Sequence, residues 1–86
     1  MAKIEIYITQ TCGFCYAAMR LLKSKGPQFT EFDVNSKPEK RNEMLSRANG
    51  KRTVPQIFIS GSHIGGCDEL YSLEQRGKLD VLLGKL

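Results

Sequence analysis

Cys12 and Cys15 stand with two residues between them in Thr-Cys-Gly-Phe-Cys, and a close thiol pair does either redox or metal chemistry. The chain turns to helical periodicity at this point, which places Cys12 just before the first helical turn. The leading N–H groups of a helix have no internal partner, and the macrodipole adds about half a positive charge there. Both favour a thiolate, and cysteines in such positions titrate between roughly 3.5 and 7.5 rather than near 8.5. Cys12 is therefore the expected nucleophile. Cys15 lies one turn further in, on the same face, and is the expected resolving thiol. Thiol–disulfide exchange needs this division of labour, with a ready thiolate to attack and a second thiol held close to complete the exchange.

The metal reading has to be weighed beside it. A Cys-x-x-Cys pair can be half of a zinc site, and His63 and Cys67 supply two more ligand types. The strand-then-helix setting of the pair and the helix start at Asp68-Glu69 favour redox chemistry. Cys67 reads as a small, partly buried residue with no redox role, and His63 as an exposed strand residue.

Two further segments have the chemistry of a receptor. Thr53-Val54-Pro55 precedes a strand, and a cis Pro55 would leave the Val54 N–H and C=O free to pair with an extended peptide. A trans proline opening a strand is the plainer reading. In Gly65-Gly66-Cys67-Asp68 the N–H groups of Cys67 and Asp68 lie at a helix start and suit a carboxylate, while the Asp68 side chain suits an amine. Taken alone, this segment is better read as a glycine turn with Asp68 as a helix cap.

The elements that must position these groups follow from periodicity. Ile4, Ile6 and Ile8 alternate with polar residues and predict a strand with one buried face. Cys15, Ala18, Met19 and Leu22 then fall on one helical stripe, ended by Gly26-Pro27. Phe29–Val34 alternates again. Pro38 opens a helix carrying Met44, Leu45 and Ala48, and Asn49-Gly50 closes it. Gln56–Ile59 is a third strand, and Ser60-Gly61 turns into a short fourth over Ser62–Ile64. Asp68–Glu74 and a final segment with Leu79, Leu82, Leu83 and Leu86 are helical. The order predicts an α/β domain spanning 1–86. Its first half makes a right-handed crossover between parallel strands, and a hairpin completes a four-stranded mixed sheet flanked by helices.

Composition narrows the function classes. The chain has 86 residues, 41% apolar and 26% charged, which suits one folded domain. No apolar run approaches the roughly 20 residues needed to span a bilayer, and the first residues lack a signal-peptide pattern, so the expectation is a cytoplasmic protein. The net charge of +4 is scattered and has no interleaved aromatics, which argues against nucleic acid and agrees with a small anionic ligand.

Cys12-Gly13-Phe14-Cys15, Thr53-Val54-Pro55-Gln56-Ile57-Phe58-Ile59 and Ile64-Gly65-Gly66-Cys67-Asp68-Glu69-Leu70, in this order, resemble the glutaredoxins, most closely the short bacterial dithiol type. The resemblance implies a thioredoxin-like fold, a cis Pro55, and a monomer. The implied activity is glutathione-dependent reduction of protein disulfides and glutathione mixed disulfides. Cys12 then receives the glutathionyl group and Cys15 closes the intramolecular disulfide. Thr53 and Val54 hold the cysteinyl part of glutathione, and Gly66, Cys67 and Asp68 its γ-glutamyl end. Phe14 flanks the site, and Arg52, with Lys51 and Arg41 as further candidates, meets the glycyl carboxylate. Two positions depart from the family pattern. Gly13 stands where proline is common, and Thr9 where lysine is frequent. Resembling proteins with that glycine in some cases hold a [2Fe–2S] cluster between subunits, so a cluster carrier using Cys12 and glutathione is the alternative function.

Overall fold

In the computed structural model, which describes residues 2–85, the strand over Ile4–Ile8 (β1) is buried along its whole length. It lies between β2 (Thr30–Asp33), to which it is parallel, and β3 (Gln56–Ile59), to which it is antiparallel. The fourth strand, β4 (Ser62–Gly65), pairs antiparallel with β3, giving the order β2-β1-β3-β4. Ser60 and Gly61 both have positive φ, 51° and 82°, the conformation a two-residue hairpin requires. The mixed four-stranded sheet and flanking helices are the architecture that the periodicity predicts.

One face of the sheet presents Ile4, Ile6, Ile8, Ile57 and Ile59 to the helix α1 (Gly13–Ser24), to α3 (Cys67–Gln75) and to the short α4 (Leu79–Leu82). The predicted stripe Cys15, Ala18, Met19 and Leu22 is the buried side of α1. The opposite face presents Tyr7 and Phe58 to α2 (Pro38–Arg47), with Val34, Met44 and Ala48 completing a second cluster.

That second layer corrects the reading of β1 as a strand with one buried face. Glu5 is only 9% exposed because Arg47 Nη2 on α2 reaches its Oε1 at 2.9 Å. The same guanidinium lies 4.1 Å from the centroid of the Phe58 ring. Tyr7, fully buried, donates its hydroxyl hydrogen to Glu43 and accepts from Arg47 at 2.8 Å. Burial and the Glu43 bond push its pKa up to about 12. The last helix is also shorter than its leucine spacing predicts. Leu79 and Leu83 are buried, Leu82 is 41% exposed, and Leu86 lies outside the described residues. Gly84, at φ 78°, ends the helical conformation before another turn forms.

Candidate functional site

The turn after β1 delivers Cys12 to the N-cap of α1, with extended φ −95° and ψ 109°. Its Sγ accepts the Cys15 N–H at 3.0 Å, so the sulfur takes the place of the oxygen that usually caps a helix. Cys12 is half-buried, whereas Cys15 and Cys67 are buried. The two thiols of the motif are thus unequal in access. Burial, reinforced by the hydrogen bond with Cys12, also pushes the Cys15 thiol up to about 12. Cys15 therefore stays protonated at neutral pH beside an accessible sulfur.

Across from Cys12 runs the segment before β3. The Val54–Pro55 peptide is cis, and the Cys12 Sγ lies 3.6 Å from the Val54 carbonyl oxygen. Gly66 caps α3, and Cys67 and Asp68 are its first two residues, so their N–H groups have no helical carbonyl to meet. Gly65, at φ +119°, is where the chain turns from β4 into α3. A Cβ there would lie 2.8 Å from the Glu69 side chain, a separation no ordinary residue tolerates. Phe14, Thr53, Val54, Pro55, Gly66, Cys67, Asp68 and Glu69 together line an open cleft of about 270 Å³ beside Cys12.

Sequence reasoning thus placed seven of these eight lining residues and missed the eighth. Glu69 Oε1 accepts the Gly66 N–H at 2.7 Å and locks the entry to α3. Its signal was legible as an acid three residues after a helix cap. Arg52 is not brought into the cleft. It is exposed and does not line it, and the lining carboxylates are those of Asp68 and Glu69. Cys67 is buried, and that burial raises its thiol pKa.

His63 differs from its reading as an exposed strand residue. Its ring is half-buried, stacks on Phe58 with centroids 5.0 Å apart, and sits 2.6 Å from Gln56 Oε1 through Nε2. Burial lowers its pKa from the usual 6.5. With His63 committed to Gln56, the zinc grouping of Cys12, Cys15, His63 and Cys67 is not assembled. No set of three or more His, Cys, Asp and Glu side chains among the described residues is placed to hold a metal ion. Cys12 is also the one accessible thiol, so this chain brings a single sulfur ligand toward any cluster.

A Cys-x-x-Cys pair at the start of the first helix, beside a cis proline that precedes β3 in a sheet of order β2-β1-β3-β4, defines a thioredoxin-like thiol–disulfide oxidoreductase. Residues 4–64 match the glutaredoxin family profile, and the chain belongs to that family. It is 56% identical over 82 residues to a probable glutaredoxin of Synechocystis sp., covering 95% of this chain and 93% of that one. Glutaredoxin 3 of Escherichia coli is 53% identical over 83 residues, covering 96% of this chain and 99% of the relative. In three dimensions the chain is similar to a buckwheat glutaredoxin crystallised as a glutathione complex. That match has a TM-score of 0.87 and 28% identity, and it covers 98% of this chain and 78% of the other. No helix among the described residues is long and apolar enough to cross a membrane.

Proposed function

We propose that this thiol–disulfide oxidoreductase is driven by glutathione, with Cys12 as nucleophile and Cys15 as resolving thiol. The observation that carries the reading is the unequal pair itself: an accessible Cys12 sulfur at a helix N-cap beside a buried, protonated Cys15, opening onto a peptide-lined cleft. The similarity to a glutaredoxin crystallised with glutathione supports the choice of thiol.

With a glutathionylated protein, the Cys12 thiolate attacks the glutathione sulfur. The mixed Cys12–glutathione disulfide forms and the protein thiolate leaves. A second glutathione thiolate then attacks the glutathionyl sulfur. It releases glutathione disulfide and restores the Cys12 thiolate, so the mixed disulfide is reduced as one free glutathione thiol is oxidised, the other half of the glutathione disulfide coming from the substrate. With a protein disulfide, Cys12 forms a mixed disulfide with one protein sulfur. Cys15, on losing its proton, attacks the Cys12 sulfur and expels that protein thiolate. Two glutathiones then reduce the Cys12–Cys15 disulfide.

The cleft supplies the glutathione contacts. Val54 offers its backbone to the cysteinyl part beside Cys12, with Thr53 and Pro55 forming that wall. The Gly66–Asp68 turn meets the γ-glutamyl carboxylate and amine through the N–H of Cys67 and the carboxylate of Asp68. Phe14, 67% exposed, covers the outer side.

The reading is tested with one peptide disulfide-linked either to glutathione or to cysteamine, with glutathione as reductant. The expected kcat/KM is at least about tenfold higher for the glutathionyl substrate, because only it fills the cleft. Equal values for the two substrates overturn the assignment of the cleft to glutathione.

A further inference from the structure

Gln56 opens β3 and is 1% exposed, a polar side chain among Tyr7, Phe58 and the second apolar cluster. Its amide is fully engaged. Nε2 donates to the Thr53 carbonyl at 2.9 Å and lies 3.1 Å from the Thr53 hydroxyl. A carbonyl only accepts, so this contact fixes which way the amide points and leaves Oε1 facing His63 Nε2 at 2.6 Å. Oε1 in turn only accepts, so the hydrogen on His63 sits at Nε2. His63 is itself held by stacking on Phe58.

Residues 51–55 lie outside every helix and strand, and the β1–β3 ladder begins at the Tyr7–Gln56 pair. No ladder therefore orients the Thr53–Val54 peptide. In a planar trans peptide the C=O and the following N–H point in opposite directions. A Thr53 carbonyl tied down to Gln56 sends the Val54 N–H away from the sheet. That N–H has no partner among the described residues.

We infer that Gln56, itself oriented by His63, is a positioning residue that fixes the Thr53–Val54 peptide so that the Val54 N–H is presented to the ligand in the cleft. The inference rests on the reading of that cleft as a glutathione site. Both residues act through the Thr53–Val54 peptide.

Burial, and after it the charge of Lys51, favours the neutral His63 ring, against the opposing pull of Glu69. The resting form is the neutral imidazole with its hydrogen directed at Gln56.

The test uses S-methylglutathione, which cannot exchange, titrated against the whole chain while the Val54 amide resonance is followed. Gln56→Met removes both donors and keeps an apolar side chain of similar size. Its affinity is expected to fall about tenfold, the worth of one well-made hydrogen bond. KM for a glutathionylated peptide should rise by the same factor while kcat stays within about twofold. His63→Phe keeps the stack on Phe58 and loses the donor, so it should weaken binding. His63→Gln loses the ring but keeps a donor for Oε1, so it should bind like the parent. If Gln56→Met does not fold, the two His63 variants decide. Parent-like binding by Gln56→Met overturns the role, as does the reverse order of the His63 variants, which would make packing the cause. A parent that shifts no cleft resonance with S-methylglutathione overturns the glutathione reading itself, and this inference with it.

Discussion

Two sulfurs three residues apart are made chemically different first of all by depth. Cys12 caps a helix and reaches the cleft; Cys15 is buried and its thiol is pushed up to about 12, first by that burial and then by its bond with Cys12. Burial persists after Cys12 has taken up a glutathionyl group, so closure of the Cys12–Cys15 disulfide is limited by the scarce Cys15 thiolate. The rate of glutathione release from the Cys12–glutathionyl form should rise about tenfold per pH unit between pH 6 and 9. A plateau near neutral pH would show that Cys15 ionises much more readily than its surroundings dictate. The pair, its order and its helix-start position were legible in the sequence, because strand alternation stops and helical spacing begins right there. Arg52, implied by the resemblance as a contact of the glycyl carboxylate, does not line the cleft. The basic balance of the chain agreed with a cation near an anionic ligand, but net charge says nothing about which way a side chain on an irregular segment points.

At the level of elements, the site is where the start of α1, the segment before β3 and the start of α3 meet. The sequence showed each piece, but not the ties between them. Gly13 is the first residue of α1, a Cβ placed on it meets nothing within 4 Å, and Cys12 before it is already extended. Proline suits that position, since no helical bond is lost and its predecessor has the conformation it demands. Gly13→Pro should stabilise the fold by about 0.4–1 kcal/mol through the unfolded chain, read as a higher denaturant midpoint. A lower midpoint would mean that the Gly13 N–H is needed where it is. The other tie joins α2 to the sheet. Arg47→Met leaves the Glu5 carboxylate, 11% exposed in its side chain, without its cation, at a cost of about 3 kcal/mol. This tie could not be read from the alternation of β1, because Glu5 looks solvent-facing until an arginine 42 residues away covers it. Parent-like stability of Arg47→Met would mean that water, not Arg47, solvates Glu5.

For the molecule as a whole, the folded state holds groups that acid must protonate. Arg47 keeps Glu5 below the usual 4.5, and burial keeps His63 below 6.5. Both folded values lie under the unfolded ones. The stability these groups contribute is complete above their unfolded values and is lost as pH falls through the folded ones. Thermal melts should therefore be lower at pH 5.5 than at pH 8, and lower again below pH 4; a Tm that holds or rises on acidification contradicts the account. The mixed four-stranded sheet and its flanking helices were legible from strand, helix and turn signals, whereas the strand order and the buried polar side of the sheet were not. Polar side chains carry no periodicity that tells a buried pair from a wetted face. The central claim is that one sulfur serves every step and the other only some. It is tested most directly by glutathione-driven reduction of a glutathionylated peptide by the parent, Cys12→Ser and Cys15→Ser. Cys12→Ser should have no detectable turnover, and Cys15→Ser should keep most of the parent rate while losing reduction of a protein disulfide. Equal loss of peptide turnover in both variants would contradict the division of roles between Cys12 and Cys15.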